Sequence, residues 1–256
     1  MELIEFCRKN FHLLFDMEDR VEGILYPYEI DILNYIHTKD YTLILKSRRM
    51  NISSLYALYV FWFMMNNQSP TNEIIVLKES WNSPIITKLS KLDIGFNGPI
   101  NATYNGNQLR LVSSNFLSRT YFEHVHMLII DDYSNQESVR TLFNQISFQL
   151  DRYNNAKVSM SLTSIGDNYF RELWESGDWY NYLAHYSKNP YWTYDIIMSC
   201  IDDYRDDYSV WFETMDCIRM DSVDKRYYLN KLPSPTPYKS STIIKRINSL
   251  AKQLND

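Results

Sequence analysis

Two short stretches carry the residue types that phosphate chemistry needs. The first is "KSRRMNISS", Lys46 to Ser54, set between the apolar runs "YTLIL" and "LYALYVFWFMM". It offers three cations, Lys46, Arg48 and Arg49, and a hydroxyl, Ser53, at the place where a helix begins. The second is "MLIIDD", in which Asp131 and Asp132 end an apolar run. A phosphate site needs backbone N–H groups at a helix start, a cation, a hydroxyl and a carboxylate for magnesium, and a group that orients water. In this reading Lys46, Arg48 and Arg49 offset phosphate charge, Ser53 and Asp131 hold the metal, and Asp132 positions the attacking water. Phosphate loops are normally rich in glycine and this one has none; Asn51 stands where a tight turn would want it. Asparagine is among the residues that best tolerate positive φ. The bland alternatives are a solvated basic turn and a pair of acids that merely close a strand. Two acids after a buried strand are costly unless paired or solvated, so the basic loop upstream favours the nucleotide reading.

The elements that must hold these residues alternate. Residues 1–26 read as mainly helical, and 27–39 as a helix with Pro27 in its first turn. Ile30, Leu33 and Ile36 share one face of that helix, and Ile32 falls off it. Strands are expected at 41–46, 72–80, 109–114, 124–132 and 156–164. Helices are expected from Ser53 or Ser54, at 82–92 with Ser83 as cap, at 136–150 and at 168–177. Residues 93–108 hold three of the six glycines and read as turns or a hairpin. The helix after the basic loop is apolar nearly all round and should lie beneath other structure. This alternation predicts an α/β fold, a mostly parallel central sheet with helices on both faces. The expected division is a nucleotide-binding core at 1–177, a small lid-like helical subdomain at 178–232 with an edge strand at 191–200, and a linker and terminal helix at 233–256.

Composition narrows the function. The 256 residues are 45% hydrophobic and 15% aromatic, enough for a substantial core. The net charge of −5 argues against a broad static nucleic-acid-binding face, though not against a motor touching DNA through a few loops. Three widely spaced cysteines, Cys7, Cys200 and Cys217, form no metal or disulfide pattern and read as reduced thiols. The N-terminus is too charged for a signal peptide, and the apolar run Leu55 to Met65 is too short to span a bilayer. A dinucleotide enzyme would want glycines after its first strand, and none are there. A helicase would want a second similar domain.

The order of these motifs resembles the ATPase domain of the large terminase subunit of tailed bacteriophages, with a degenerate phosphate loop. That family carries a loop of the form K-S-R-R/Q-x-G-x-S/T, here "KSRRMNISS", with Lys46 at the family lysine and Asn51 in place of the glycine. The resemblance implies that the whole loop, Lys46, Ser47, Arg48, Arg49, Met50, Asn51, Ile52, Ser53 and Ser54, wraps the phosphates. Ile52 sits where ordinary phosphate loops carry lysine. An adenine-side motif resembling P-Y-Q stands as "PYE", with Glu29 in the glutamine's place. The Asp-Glu of the acidic motif is Asp131-Asp132. The coupling motif resembles "LTSIGDNYFRELW", in which Thr163, Gly166, Asn168, Phe170 and Trp174 fall in register; Phe170 and Trp174 also suit plain packing. Arg119, before the acidic strand, is a candidate phosphate or intersubunit contact, or a surface arginine.

The resemblance covers about residues 20–232 and implies a Mg2+-dependent ATPase that drives double-stranded DNA into a viral capsid. It implies ATP and Mg2+ as cofactors, and the portal protein and small terminase subunit as partners. It also implies a homo-oligomeric ring on the portal, and work in the host cytoplasm at the procapsid. The terminase nuclease domain has no counterpart after residue 233, which suggests an excised motor domain or a naturally truncated relative. The departures at Glu29, Asn51 and Asp132 leave open a catalytically weak or inactive terminase-like assembly module. A DNA-binding module without a nucleotide site is disfavoured by the acidic charge.

Overall fold

The computed structural model describes residues 1–11, 24–67, 73–78, 84–90, 101–113, 125–132, 136–152, 156–163, 169–190, 192, 215 and 217. The strands are β1 (Tyr41–Lys46), β2 (Glu73–Lys78), β3 (Asn101–Tyr104), β4 (Asn107–Ser113), β5 (Val125–Asp131), β6 (Lys157–Leu162) and β7 (Tyr180–Ala184). The helices are α1 (Leu3–Lys9), α2 (Pro27–Thr38), α3 (Ile52–Asn66), α4 (Pro84–Ser90), α5 (Gln136–Arg152) and α6 (Tyr169–Glu175).

The seven strands form one sheet in the order β3-β4-β2-β5-β6-β1-β7. Every pairing is parallel except β3 with β4, which form an antiparallel hairpin. Its turn, Asn105-Gly106, has positive φ at both positions (50° and 81°), the backbone that a two-residue hairpin turn requires. The α/β sheet expected from the sequence is therefore present. The edge strand is β7, however, hydrogen-bonded in parallel to β1, so the sheet runs past the expected boundary at 177. Its sequence, "YNYLA", alternates weakly because it lies at an edge. Of the expected strand at 191–200, only Trp192 lies within the described residues, and it is not in a strand.

Period-two alternation divides the central strands β1, β2 and β5 between two apolar layers, and β6 gives its apolar side chains to one of them. Ile44, Ile74, Val76, Met127 and Ile129 pack with α1 to α4. Leu43, Leu45, Ile75, Leu77, Leu128, Ile130, Val158, Met160 and Leu162 pack with α5 and α6. Helix α3 is buried without interruption from Ser54 to Val60, as its all-round apolarity demands. Truncating one of its fully buried leucines, Leu55 or Leu58, should cost about 2–5 kcal/mol. In α2 the buried face is Tyr28, Glu29, Ile32, Leu33 and Ile36, so Ile32 belongs to it and Ile30 is only half-buried. Four-residue spacing from Tyr28 through Ile32 to Ile36 sets that face. Phe170 and Trp174 pack α6 onto the second layer.

Parallel strands send their C-terminal ends to one edge of the sheet, where ligands of open α/β sheets bind. Here β1, β5 and β6 end side by side. Their register sets Asp131 opposite Ser161, and Leu45 opposite Leu162. The next residues along, Lys46, Asp132 and Thr163, therefore emerge together at that edge.

Candidate functional site

The basic loop turns without glycine because two other residues take the left-handed conformation. Arg49 has φ 58° and Asn51 has φ 56°. Asn51 is the N-cap residue of α3, and its carbonyl accepts the N–H groups of Ser54 (3.0 Å) and Leu55 (3.1 Å). The first N–H groups of such a helix lack intrahelical partners and suit an anion. The sequence foresaw the positive φ at Asn51 but not the one at Arg49.

The loop and the two acids converge. Ser53 Oγ donates to Asp131 Oδ2 at 2.6 Å, and Ser161 Oγ donates to Asp131 Oδ1 at 2.9 Å. Beside them Lys46 Nζ meets Asp132 Oδ2 at 2.9 Å and Thr163 Oγ1 at 3.5 Å, and Thr163 Oγ1 donates to Asp132 Oδ1 at 2.6 Å. The Asp132 N–H donates to the Ser161 carbonyl at 2.9 Å and lies 3.2 Å from its hydroxyl. A cavity of about 440 Å³ opens over this cluster, lined by Lys46, Arg48 to Ser54, Asp132 and Lys88.

The two carboxylates differ in electrostatics. Burial pushes the Asp131 carboxyl above its ordinary value, against the Lys46 charge and the bonds from Ser53 and Ser161. Burial also acts to raise Asp132, but the Lys46 charge, the Thr163 hydrogen bond and the nearby Arg48 together hold it below its ordinary value. Asp131 is buried beneath the cavity, with a hydroxyl donor on each oxygen, and Asp132 is the acid that lines the cavity itself. Among the described residues no group of three or more His, Cys, Asp or Glu side chains could hold a metal. The groups here that could hold a magnesium ion are one hydroxyl, Ser53, and one carboxylate, Asp131.

Several expected site residues stand elsewhere. Glu29 is fully buried; its Oε2 accepts the Tyr26 N–H at 2.9 Å and its Oε1 the Tyr28 hydroxyl at 3.2 Å. It secures the start of α2 and does not line the cavity. Ser47 is also fully buried and faces away. Its hydroxyl bonds the Met215 carbonyl and accepts the Tyr186 N–H at 2.8 Å, and its own N–H donates to the Ala184 carbonyl. Alternation along β1 turns the residue after Lys46 to the opposite side. Met50 and Ile52 border the cavity, but both side chains are buried in the core. Arg119, Gly166 and Asn168 lie outside the described residues. The sequence missed Ser161, although a serine every second residue in a buried strand ("SMSL", with Ser159 bonded to the Tyr56 hydroxyl) was a usable signal. It missed Lys88 because a lone lysine on a short helix carries none.

No protein-family model and no curated protein matches this chain. Solved structures do. The large terminase of bacteriophage HK97 superposes with a TM-score of 0.61 over 84% of this chain and 54% of that one, at 11% identity. This is the large-terminase fold. The large terminase of a thermophilic bacteriophage shares it, with a TM-score of 0.58 in complex with ATP-gamma-S (12% identity, 76% of this chain, 52% of that one). In the ADP complex of the same terminase the TM-score is 0.57 (12% identity, 75% and 53%). The chain spans about half the length of these terminases. Among the described residues no helix is long and apolar enough to cross a membrane.

Proposed function

We propose that this chain binds ATP and Mg2+ at the 46–54 loop and hydrolyses ATP to drive double-stranded DNA into a viral capsid. The observation that carries the reading is the 2.6 Å bond between Ser53 and Asp131, residues 78 apart in sequence. A helix-start hydroxyl beside a strand-end carboxylate supports a magnesium site there, since those are the two protein groups that such a site takes. The large-terminase fold supports it, as does the ATP-gamma-S complex of the thermophilic phage's terminase.

In this proposal Lys46, Arg48 and Arg49 offset triphosphate charge, and the amides from Met50 to Ser54 cradle it. Ser53 and Asp131 hold the metal, which lowers the charge on the leaving phosphates when bound. Asp132 orients water and Thr163 carries its state toward α6. Lys46 must exchange Asp132 for phosphate when nucleotide enters, which frees Asp132 for water. Arg119 would reach phosphate or a neighbouring subunit. The protein would act in a ring on the portal, with the small terminase subunit, in the host cytoplasm. The test is ATP turnover with Mg2+, with and without double-stranded DNA, beside Lys46→Ala and Asp131→Ala. Turnover should fall to background in both variants; variants as active as the wild type would overturn the assignment.

One observation favours a second reading, a nucleotide-binding assembly module without turnover. Asp132, the candidate for orienting water, is already tied to both Lys46 and Thr163. Calorimetry with ATP-gamma-S beside the turnover assay separates the two: tight binding without hydrolysis supports the module.

A further inference from the structure

The cavity has one cationic wall that comes from neither the basic loop nor the acidic strand. Lys88 lines it from α4. The helix is fixed there by Ile85 and Leu89, both fully buried in the layer that includes α3. These two are four residues apart and form one stripe. Lys88 lies three residues after the first and one before the second, on the flank of that stripe. The residue is half-buried, as a lysine that lays its stem along apolar neighbours is.

The loop has a gap that this position fills. In an ordinary phosphate loop the residue before the metal-binding hydroxyl is a lysine that reaches the terminal phosphates. Here that residue is Ile52, 2% exposed and packed in the core. Lys46 enters the cavity from its acid side, beside Asp132, and not from the position before Ser53. Arg48 and Arg49 are exposed at the rim. A magnesium-bound triphosphate remains anionic, and α4 supplies a charge to the same space from outside the loop.

We infer that Lys88 is a phosphate-binding residue, a spatial substitute for the loop lysine that Ile52 replaces, and that it recognises the polyphosphate chain rather than the base. The inference rests on the nucleotide reading of this cavity. Helix α4 thereby becomes part of the site, and nucleotide occupancy would be felt along its packing with α3.

The test is titration of the full chain with Mg-ATP-gamma-S and, separately, with Mg-tripolyphosphate, which has no base or ribose. Wild type, Lys88→Met and Lys88→Arg are compared. Methionine keeps an apolar stem and removes the charge together with its N–H donors. Lys88→Met should bind both probes about tenfold more weakly, and its affinity should fall less steeply with added salt. Lys88→Arg should recover most of the affinity. Lys88→Met binding like the wild type, or Lys88→Arg as weak as Lys88→Met, overturns the assignment of Lys88 while leaving the nucleotide site standing. A wild type that binds neither probe overturns both.

Discussion

Ser53 Oγ and Asp131 Oδ2 stand 2.6 Å apart across two β-strand ends, one at the start of α3 and the other at the end of β5. The bond supplies a buried carboxylate with a donor, and burial still raises that carboxyl's pKa. An acid with a raised folded-state pKa opposes stability when ionised: the cost is present above that pKa and disappears as pH falls through it. Asp131→Asn should therefore melt no lower than the wild type at neutral pH while losing Mg-dependent nucleotide turnover. Ser53→Ala removes a donor from a buried carboxylate and should cost about 1–3 kcal/mol. Thermal melts and turnover measured on the same preparations check both signs.

The Lys46–Asp132 pair has the opposite linkage. Asp132 is held below its ordinary pKa, so its contribution to stability is present above the ordinary carboxylate range and lost as pH falls through the lowered value. Lys46→Met should flatten that acid limb. Its melting temperature should also depend less on salt, because Asp132 is about half exposed (47%) and the pair is partly screened. A pH series of melts for the two proteins would show an unchanged acid limb if the pair contributes nothing.

The loop's left-handed residues make a separate prediction. The Asn51 side chain makes no capping hydrogen bond to the start of α3, so Asn51→Gly should change stability by no more than about 1 kcal/mol. A β-branched residue is poorly suited to φ 56°, and Asn51→Val should cost about 1–2 kcal/mol or more. Chemical denaturation of the two variants would rank them; equal stability would mean that the loop does not need this conformation.

Glu29 is predicted to matter to the fold rather than to nucleotide choice. Its carboxylate accepts at the first turn of α2, where a negative charge is favoured. Glu29→Ala removes the acceptor from one buried and one half-buried donor and should cost about 1–3 kcal/mol. Glu29→Gln keeps the size and one acceptor, and should leave ATP-gamma-S affinity unchanged. A gain in affinity for adenine nucleotides over guanine nucleotides in Glu29→Gln would contradict this.

Cys7 offers a check on the N-terminal packing. Burial against α3 and its neighbours pushes its thiol up to about 12. At pH 8 it should stay unmodified by alkylating reagents in the native protein and react on unfolding, as peptide mapping would show. Rapid native modification of Cys7 would mean that α1 is not seated on the core.

The site was legible where types and spacing are local. Lys46, Asn51 and Ser53 follow one another between a strand and a helix, and both acids end a strand whose apolar run is plain. The edge strand β7 was hidden because one exposed side weakens its alternation, and Leu183 is exposed there. Glu29 and Ser47 look like binding residues in a linear motif, yet each turns its polar group inward to the backbone. Lys88 comes from an element with no phosphate motif, so only packing could bring it in, whereas Ser161 left a trace in the alternating serines of its strand.

The sequence by itself determined the alternating elements, the two-sided burial of the strands and the chemical types available at their ends, because periodicity and backbone preference act over a few residues. Tertiary structure decided which of those groups meet. Strand order and register place β1, β5 and β6 side by side, which sets Lys46 against Asp132, and the turn from β1 into α3 then carries Ser53 to Asp131. The same side-chain alternation that buries Leu45 turns Ser47 away from the cavity. Register is a relation between distant segments, fixed by which apolar faces must be buried together, and no local spacing contains it.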